Sequence, residues 1–378
     1  MMLLPLVLVA CDGKDIDETD PADSGTPEIT CDPGDICTVV GNGVAGLGKE
    51  DVPGPESMLY LPQDVEFDAD GSAFFLDWNN HRVREVLDDG TVATVAGDGM
   101  IGDGPEGDAM AARFNHPTNL LFDAEGRMIL AAWHNSRVER IDFSTGEMSF
   151  LVGDGSRSFG GDAGPALTSK LNLPSSVALS SDGRLYVSDQ ANQRVRCVDL
   201  DGNINTVVGN GTAGFGGDGG PAADAELFAS VGQAAAPANK IIISPDQRMF
   251  IADTDNHRIR VVDLATMIID TYAGSGEPGY AGDGGPALDA KIWGPTDVAI
   301  GLDGELYVTD TENNCVRVLG TDGTIESFAG VCGGPGYEGD GEPAIDAVLN
   351  KPYGVAVDPD GNVWISDTYN QRIRVVYR

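Results

Sequence analysis

Asp367–Thr368–Tyr369–Asn370–Gln371–Arg372–Ile373–Arg374 is one of six copies of a single phrase in this chain. The others run Asp77 to Arg84, Ala132 to Glu139, Asp189 to Arg196, Asp253 to Arg260 and Asp310 to Arg317. Their asparagines, Asn80, Asn135, Asn192, Asn256, Asn313 and Asn370, stand 55, 57, 64, 57 and 57 residues apart. A fixed period of that length is the signature of a repeat architecture.

Each phrase sits in a longer one, clearest from Pro352 to Asp367. Val355 and Val357 alternate with smaller neighbours, Asp360–Gly361 supplies a hairpin turn, and Val363–Trp364–Ile365 resumes an extended run. Ile373 to Val376 makes a third strand, and alternating apolar runs between such turns read as antiparallel hairpins. A fourth strand follows in the earlier repeats, at Thr91 to Gly97, Glu147 to Gly153, Asn205 to Gly209, Asp270 to Gly274 and Thr324 to Gly330. Four short strands per unit, repeated six times, predict an all-β fold: a six-bladed β-propeller of four-stranded antiparallel blades.

The two ends of the repeat region complete each other. The sixth repeat reaches Arg378 directly after its third strand, and Cys37 to Gly43 matches Thr94 to Gly99, the end of a fourth strand. An N-terminal strand is therefore expected to complete the last blade, closing a domain over residues 36–378 and removing free sheet edges. Turn chemistry accounts for the consensus. Asn at the fourth position suits a left-handed backbone, and the Asp and the Arg five residues on (Asp77 and Arg82) are placed to pair, or to satisfy nearby backbone groups. Ala132 and Cys315 depart from that consensus.

The unit resembles the NHL repeat family of six-bladed propellers, over residues from about 36 to 378. The resemblance is carried by Pro352 to Gly361, Val363 to Asp367 and Asn370–x–Arg372–Ile373–Arg374, with echoes in the other repeats. It implies the fold and leaves activity open, because that family spans protein-binding, RNA-binding, receptor-type and metal-dependent lyase members.

Composition narrows the partners. The formal charge is −37, with 23 basic residues against 60 acidic ones, which excludes nucleic acid and charge-driven docking on anionic lipid. Met1 to Ala10 is apolar and runs into Cys11, which resembles a bacterial lipoprotein signal over residues 1–11 with Cys11 as the lipidation site. Residues 12–35 are acidic and rich in Pro, Gly, Ser and Thr, and read as a solvated tether. The expected protein is thus extracytoplasmic, secreted or held at the cell envelope by a lipid anchor, and monomeric. Cys315 and Cys332 fall at the same end of an antiparallel pair, so a disulfide there is expected; Cys31 and Cys37 could form a second.

Candidate sites cluster on the face where the inter-blade connections and the turns after each second strand emerge. The connections carry a ring of acids, Glu50, Asp103, Asp162, Asp218, Asp283 and Asp340, which invites calcium as a cofactor. The alternative is that each acid bonds its own turn, over the residue three before it (Leu47, Met100, Phe159, Phe215, Tyr280 or Tyr337). Repeat-breaking turn residues Trp78 and Trp133, with His134 and Tyr369, suggest an aromatic platform for a glycan or a protein side chain. On the innermost strands, Asp64, Asn119, Ser176, Lys240, Asp297 and Gly354 face the channel, and Asp64, Asn119 and Asp297 could share a divalent metal. The preferred expectation is a protein- or glycan-binding scaffold without catalysis; the runner-up is a cation-dependent hydrolase or lyase at the channel mouth.

Overall fold

The computed structural model describes residues 31–232 and 235–378. The expected signal at 1–11, Cys11 within it, and the tether up to residue 30 lie outside the described residues. Six sheets form, one per repeat. In the first, Pro62–Phe67 lies innermost, followed outward by Ala73–Asp77, Arg82–Val86 and Thr91–Ala96. Alternate residues of each strand face the neighbouring blades, so the core lies between blades. Phe74, Leu76 and Val83 of blade 1 pack on Leu120, Met128 and Leu130 of blade 2, and this contact is repeated around the ring.

Asp35–Val40 pairs antiparallel with Arg372–Val376, setting Ile36 opposite Val376 and Thr38 opposite Arg374. The sixth sheet therefore takes its fourth strand from the N-terminal side of the domain. Each sheet also holds a fifth, two-residue strand that four-stranded blades did not anticipate. The connection entering a blade first touches that blade's outer edge, as Gly164–Pro165 does against Asn203–Val208, before crossing to the centre. In five of the six blades the second residue of this short strand is a proline, whose ring nitrogen offers no donor for a further strand; blade 2 has Asp108 there.

The consensus residues do different work from the expected one. The left-handed residue of each turn is the one after the asparagine: His81, Ser136, Gln193, His257, Asn314 and Gln371, with φ between 53° and 60°. The asparagine instead uses its side chain. Asn192 Nδ2 donates to Asp189 Oδ2 at 2.8 Å and to the Ser158 carbonyl at 3.0 Å, tying the turn to the incoming connection. The strand-ending aspartate pairs with the arginine seven residues on, as in Asp189–Arg196 at 3.2 Å, and does not pair with the one five on. Arg194, directly opposite Asp189, satisfies backbone groups instead, its guanidinium donating to the Asn192 carbonyl at 2.9 Å and the Asn210 carbonyl at 2.6 Å. Asp189 Oδ1 also accepts from the Asn172 backbone N–H at 2.7 Å, which pins the start of the inner strand. Burial pushes the carboxyls of Asp77, Asp189, Asp253 and Asp310 up to about 6, and that of Asp367 to about 7, against the pull of these partners.

Cys315 is bonded to Cys332, and Cys31 to Cys37. Two disulfides fit an oxidising, extracytoplasmic compartment. Among the described residues, no helix is long and apolar enough to cross a membrane.

Candidate functional site

The ring of acids is taken up by the blades. The arginines that pair with the strand-ending aspartates extend further and meet the connections: Arg84 with Glu50 at 3.6 Å, Arg196 with Asp162 at 2.5 Å, Arg260 with Asp218 at 2.5 Å, Arg374 with Asp340 at 2.7 Å, and Arg317 with Asp283. These five guanidinium groups are buried, and each already supplies the positive charge that a calcium ion would bring. In blade 2 the equivalent acid is Glu106: its Oε1 accepts from the Phe150 N–H at 2.8 Å, as Glu50 Oε2 does from Thr94 N–H at 2.9 Å. Asp103 instead occupies the place of the aromatic residue, which in blade 3 is Phe159, lying 4.9 Å beneath the Arg196 guanidinium.

The channel residues come together as expected, in an arrangement that corrects the metal reading. Lys240 Nζ lies 2.7 Å from Asp64 Oδ1 and 2.9 Å from Asp297 Oδ2, in the place where Asp64, Asn119 and Asp297 would have held a cation. Asn119 Nδ2 donates to Asp64 Oδ2 at 2.9 Å, and Ser176 Oγ donates to Asn119 Oδ1 at 3.2 Å. The same side chains accept from the next inner strand, Asp64 from Leu120 N–H and Asn119 from Val177 N–H. Burial opposes the charge on Lys240, but Asp297 and Asp64 outweigh it and hold the ammonium above its ordinary range. The layer is a buried stitch between blades. Sequence reading placed all five residues at one level yet missed that Lys240 would neutralise the others; the signal was a single base among acids.

One step further along the inner strands, a cavity of about 350 Å³ is lined by Leu121, Ala178, Ile242, Ala299 and Ala356, with the Glu66 carboxyl among them. Burial, reinforced by Asp64, pushes that carboxyl up to about 8. This end of the channel opens away from the loop face, because every inner strand starts at the turns and runs toward the opposite hairpins.

The aromatic platform is only partly formed. Trp133 is 1% exposed; its Nε1 donates to Gln190 Oε1 at 3.1 Å and His134 stacks on it at 4.2 Å, so its faces are unavailable to a ligand. Trp78 is half-buried against His116, with ring centroids 4.3 Å apart. The first turn residue reaches toward the next blade elsewhere too, as Thr368 Oγ1 donates to the Pro62 carbonyl at 2.7 Å and Thr311 Oγ1 to the Pro352 carbonyl at 2.7 Å. His81, His116 and His134 join this cluster, and burial lowers all three, His116 to about 3 and His134 to about 4. Tyr369 is 48% exposed and stacks on Tyr353, whose ring centroid lies 6.3 Å away, in blade 6.

Further exposed aromatics lie on the same face. The second turn residue donates its N–H to a carbonyl on the segment leading into the inner strand: Asn79 to Tyr60, Asp255 to Phe228, Glu312 to Trp293 and Tyr369 to Asn350. Tyr60, Phe228 and Trp293 are each at least 38% exposed. Sequence reading passed over them, although aromatics at a position held by Asn115, Asn172 and Asn350 in the other blades break the repeat as plainly as Trp78 does. Trp293 borders a cleft of about 360 Å³ with Asp255, His257, Glu312, Tyr353 and Pro237.

Comparison with known proteins fits this geometry. The NHL repeat profile matches residues 171–198, 293–319 and 349–376. Teneurin-m of Drosophila melanogaster is 28% identical over 361 residues, which is 84% of this chain and 12% of that protein. NHL repeat-containing protein 2 of Bos taurus is 28% identical over 306 residues, covering 72% of this chain and 40% of the relative. The chain thus spans less than half the length of these curated relatives. An auxiliary nutrient binding protein from Bacteroides thetaiotaomicron superposes with a TM-score of 0.64 at 18% identity, over 90% of this chain and 75% of that one. At that identity the likeness is one of fold.

Proposed function

We propose that this chain, a six-bladed propeller built of NHL repeats, is a non-enzymatic carbohydrate-binding module whose site is the cleft beside Trp293 on the loop face. One observation carries the reading: an indole 43% exposed stands at a concave site that also presents Asp255 and Glu312. A sugar ring offers an apolar face for stacking and a rim of hydroxyls that donate to carboxylates, and the cleft presents both partners. Tyr353 and His257 supply further polar edges. Recognition suits the loop face, and in the channel Lys240 holds Asp64 and Asp297 in ion pairs. A net charge of −37 also favours a neutral or cationic glycan over a sulfated or uronic one.

A glycan array probed with the purified protein, followed by calorimetry on the best neutral oligosaccharide, tests this. Trp293→Ala should weaken binding by about tenfold or more, the loss of one well-packed aromatic anchor, while Trp133→Phe leaves it unchanged. Binding that survives Trp293→Ala, or an array without a hit where a protein partner is captured through the same cleft, overturns it.

A further inference from the structure

Blade 2 inverts the charge arrangement of the other five. Where they bury an arginine it has Glu139, and where they end the second strand in aspartate it has Ala132. Glu139 pairs with Leu130 across the strands as Arg196 pairs with Val187, so its carboxyl enters the space that a guanidinium fills elsewhere. The residue is 1% exposed, and its Oε2 has no hydrogen-bond partner.

Part of a cation's surroundings is retained. In blade 3, Arg196 is ringed by the Lys170 and Gly160 carbonyls at 3.4 and 3.3 Å and by the carboxylates of Asp189 and Asp162. The corresponding positions of blade 2 are Arg113, Gly104, Ala132 and Glu106. Asp103 adds a further carboxylate there: its Oδ1 accepts from Asn135 Nδ2 at 3.2 Å and lies 3.5 Å from Arg137 Nε. By this equivalence the Arg113 and Gly104 carbonyls and the Glu106 carboxylate, oxygens of the kind that meet a guanidinium in blade 3, fall beside Glu139 in blade 2, while Ala132 contributes none.

We infer that blade 2 binds a divalent cation of the calcium class in the arginine's place, with the carboxylates of Glu139 and Asp103 and neighbouring backbone carbonyls as ligands. Calcium suits the site because it accepts several oxygens in irregular geometry, whereas magnesium demands a near-ideal octahedron and retains its waters. The competing occupant is a proton: burial and the nearby Asp103 push the Glu139 carboxyl up to about 8 when no cation is present. The site is separate from the carbohydrate cleft, so Trp293→Ala should leave the calcium response intact.

The full chain, stripped of metal by chelator, is titrated with calcium chloride by calorimetry and followed by melting scans, with magnesium and sodium chlorides as controls. Wild type should take up one calcium per chain and melt higher as it fills. Glu139→Gln should lose both the heat and the melting shift. The paired substitution Ala132→Asp with Glu139→Arg, which rebuilds the ion pair of the other blades, should fold, melt above the metal-free wild type and ignore calcium. A wild type without calcium response, or a response retained in Glu139→Gln or in the paired variant, overturns the inference.

Discussion

Glu139 carries the clearest consequence at the scale of one residue. In the calcium-free chain its folded carboxyl sits at about 8 against an ordinary 4.5, with Asp103 and Arg137 as the charges facing it. A folded state that holds its proton more tightly than the unfolded one loses stability as pH rises from 4.5 to 8, and levels off above that. Glu139→Gln keeps the shape and removes the titration. Urea midpoints should therefore show the variant gaining on metal-free wild type across that window, with the largest gap at its alkaline end, and calcium should close the gap. Sequence alone showed that blade 2 lacks its aspartate. It could not show what Glu139 meets, because that depends on which arginine of the repeat pairs with the aspartate. The expected partner was the arginine five residues on; the buried partner is seven on, and Glu139 occupies that second position.

At the scale of the element, the turns and strands were legible because each is fixed by residues close together in sequence: Asp–Gly hairpins, alternating valines and one asparagine per turn. The two-residue edge strands were not, since Gly164–Pro165 carries no alternation and gains its pairing only from a strand some 40 residues later. Gly41 shows how tightly the closing element is held. Its φ is +98°, and a Cβ there would stand 2.2 Å from the Gln371 carbonyl oxygen, across the pairing that completes blade 6. Gly41→Ala should cost about 2–4 kcal/mol, combining a strained left-handed backbone with a collision against main chain. Gly90→Ala, also at positive φ but with open space around the new methyl, isolates the backbone contribution and should cost about 1 kcal/mol. Denaturant unfolding of the two variants side by side measures the difference.

For the whole molecule, the ring and its six-fold repetition were legible, while the contents of the channel were not. Lys240 meets Asp64 across 176 residues and Asp297 across 57, and no local pattern specifies such encounters. The exposed aromatics fell between these cases: their positions were readable, but only the fold shows that Trp133 is covered while Trp293 is open. A net charge of −37 also acts on the molecule as one body. Self-repulsion among exposed carboxylates should make melting depend on ionic strength, with the midpoint rising from low salt to about 0.5 M sodium chloride as the Debye length shrinks below the spacing of surface charges. A flat response in a salt series of melting scans would mean that the arginine webs already balance the surface locally.

The strand Asp35–Val40 is made early and its neighbour Arg372–Val376 late. A ribosome must therefore complete five blades and most of a sixth after that segment before it finds its partner, and until then it waits as an unpaired edge beside growing sheets. The ring is sealed between its earliest and latest strands, and a propeller interrupted before Arg372–Val376 is left with an open seam.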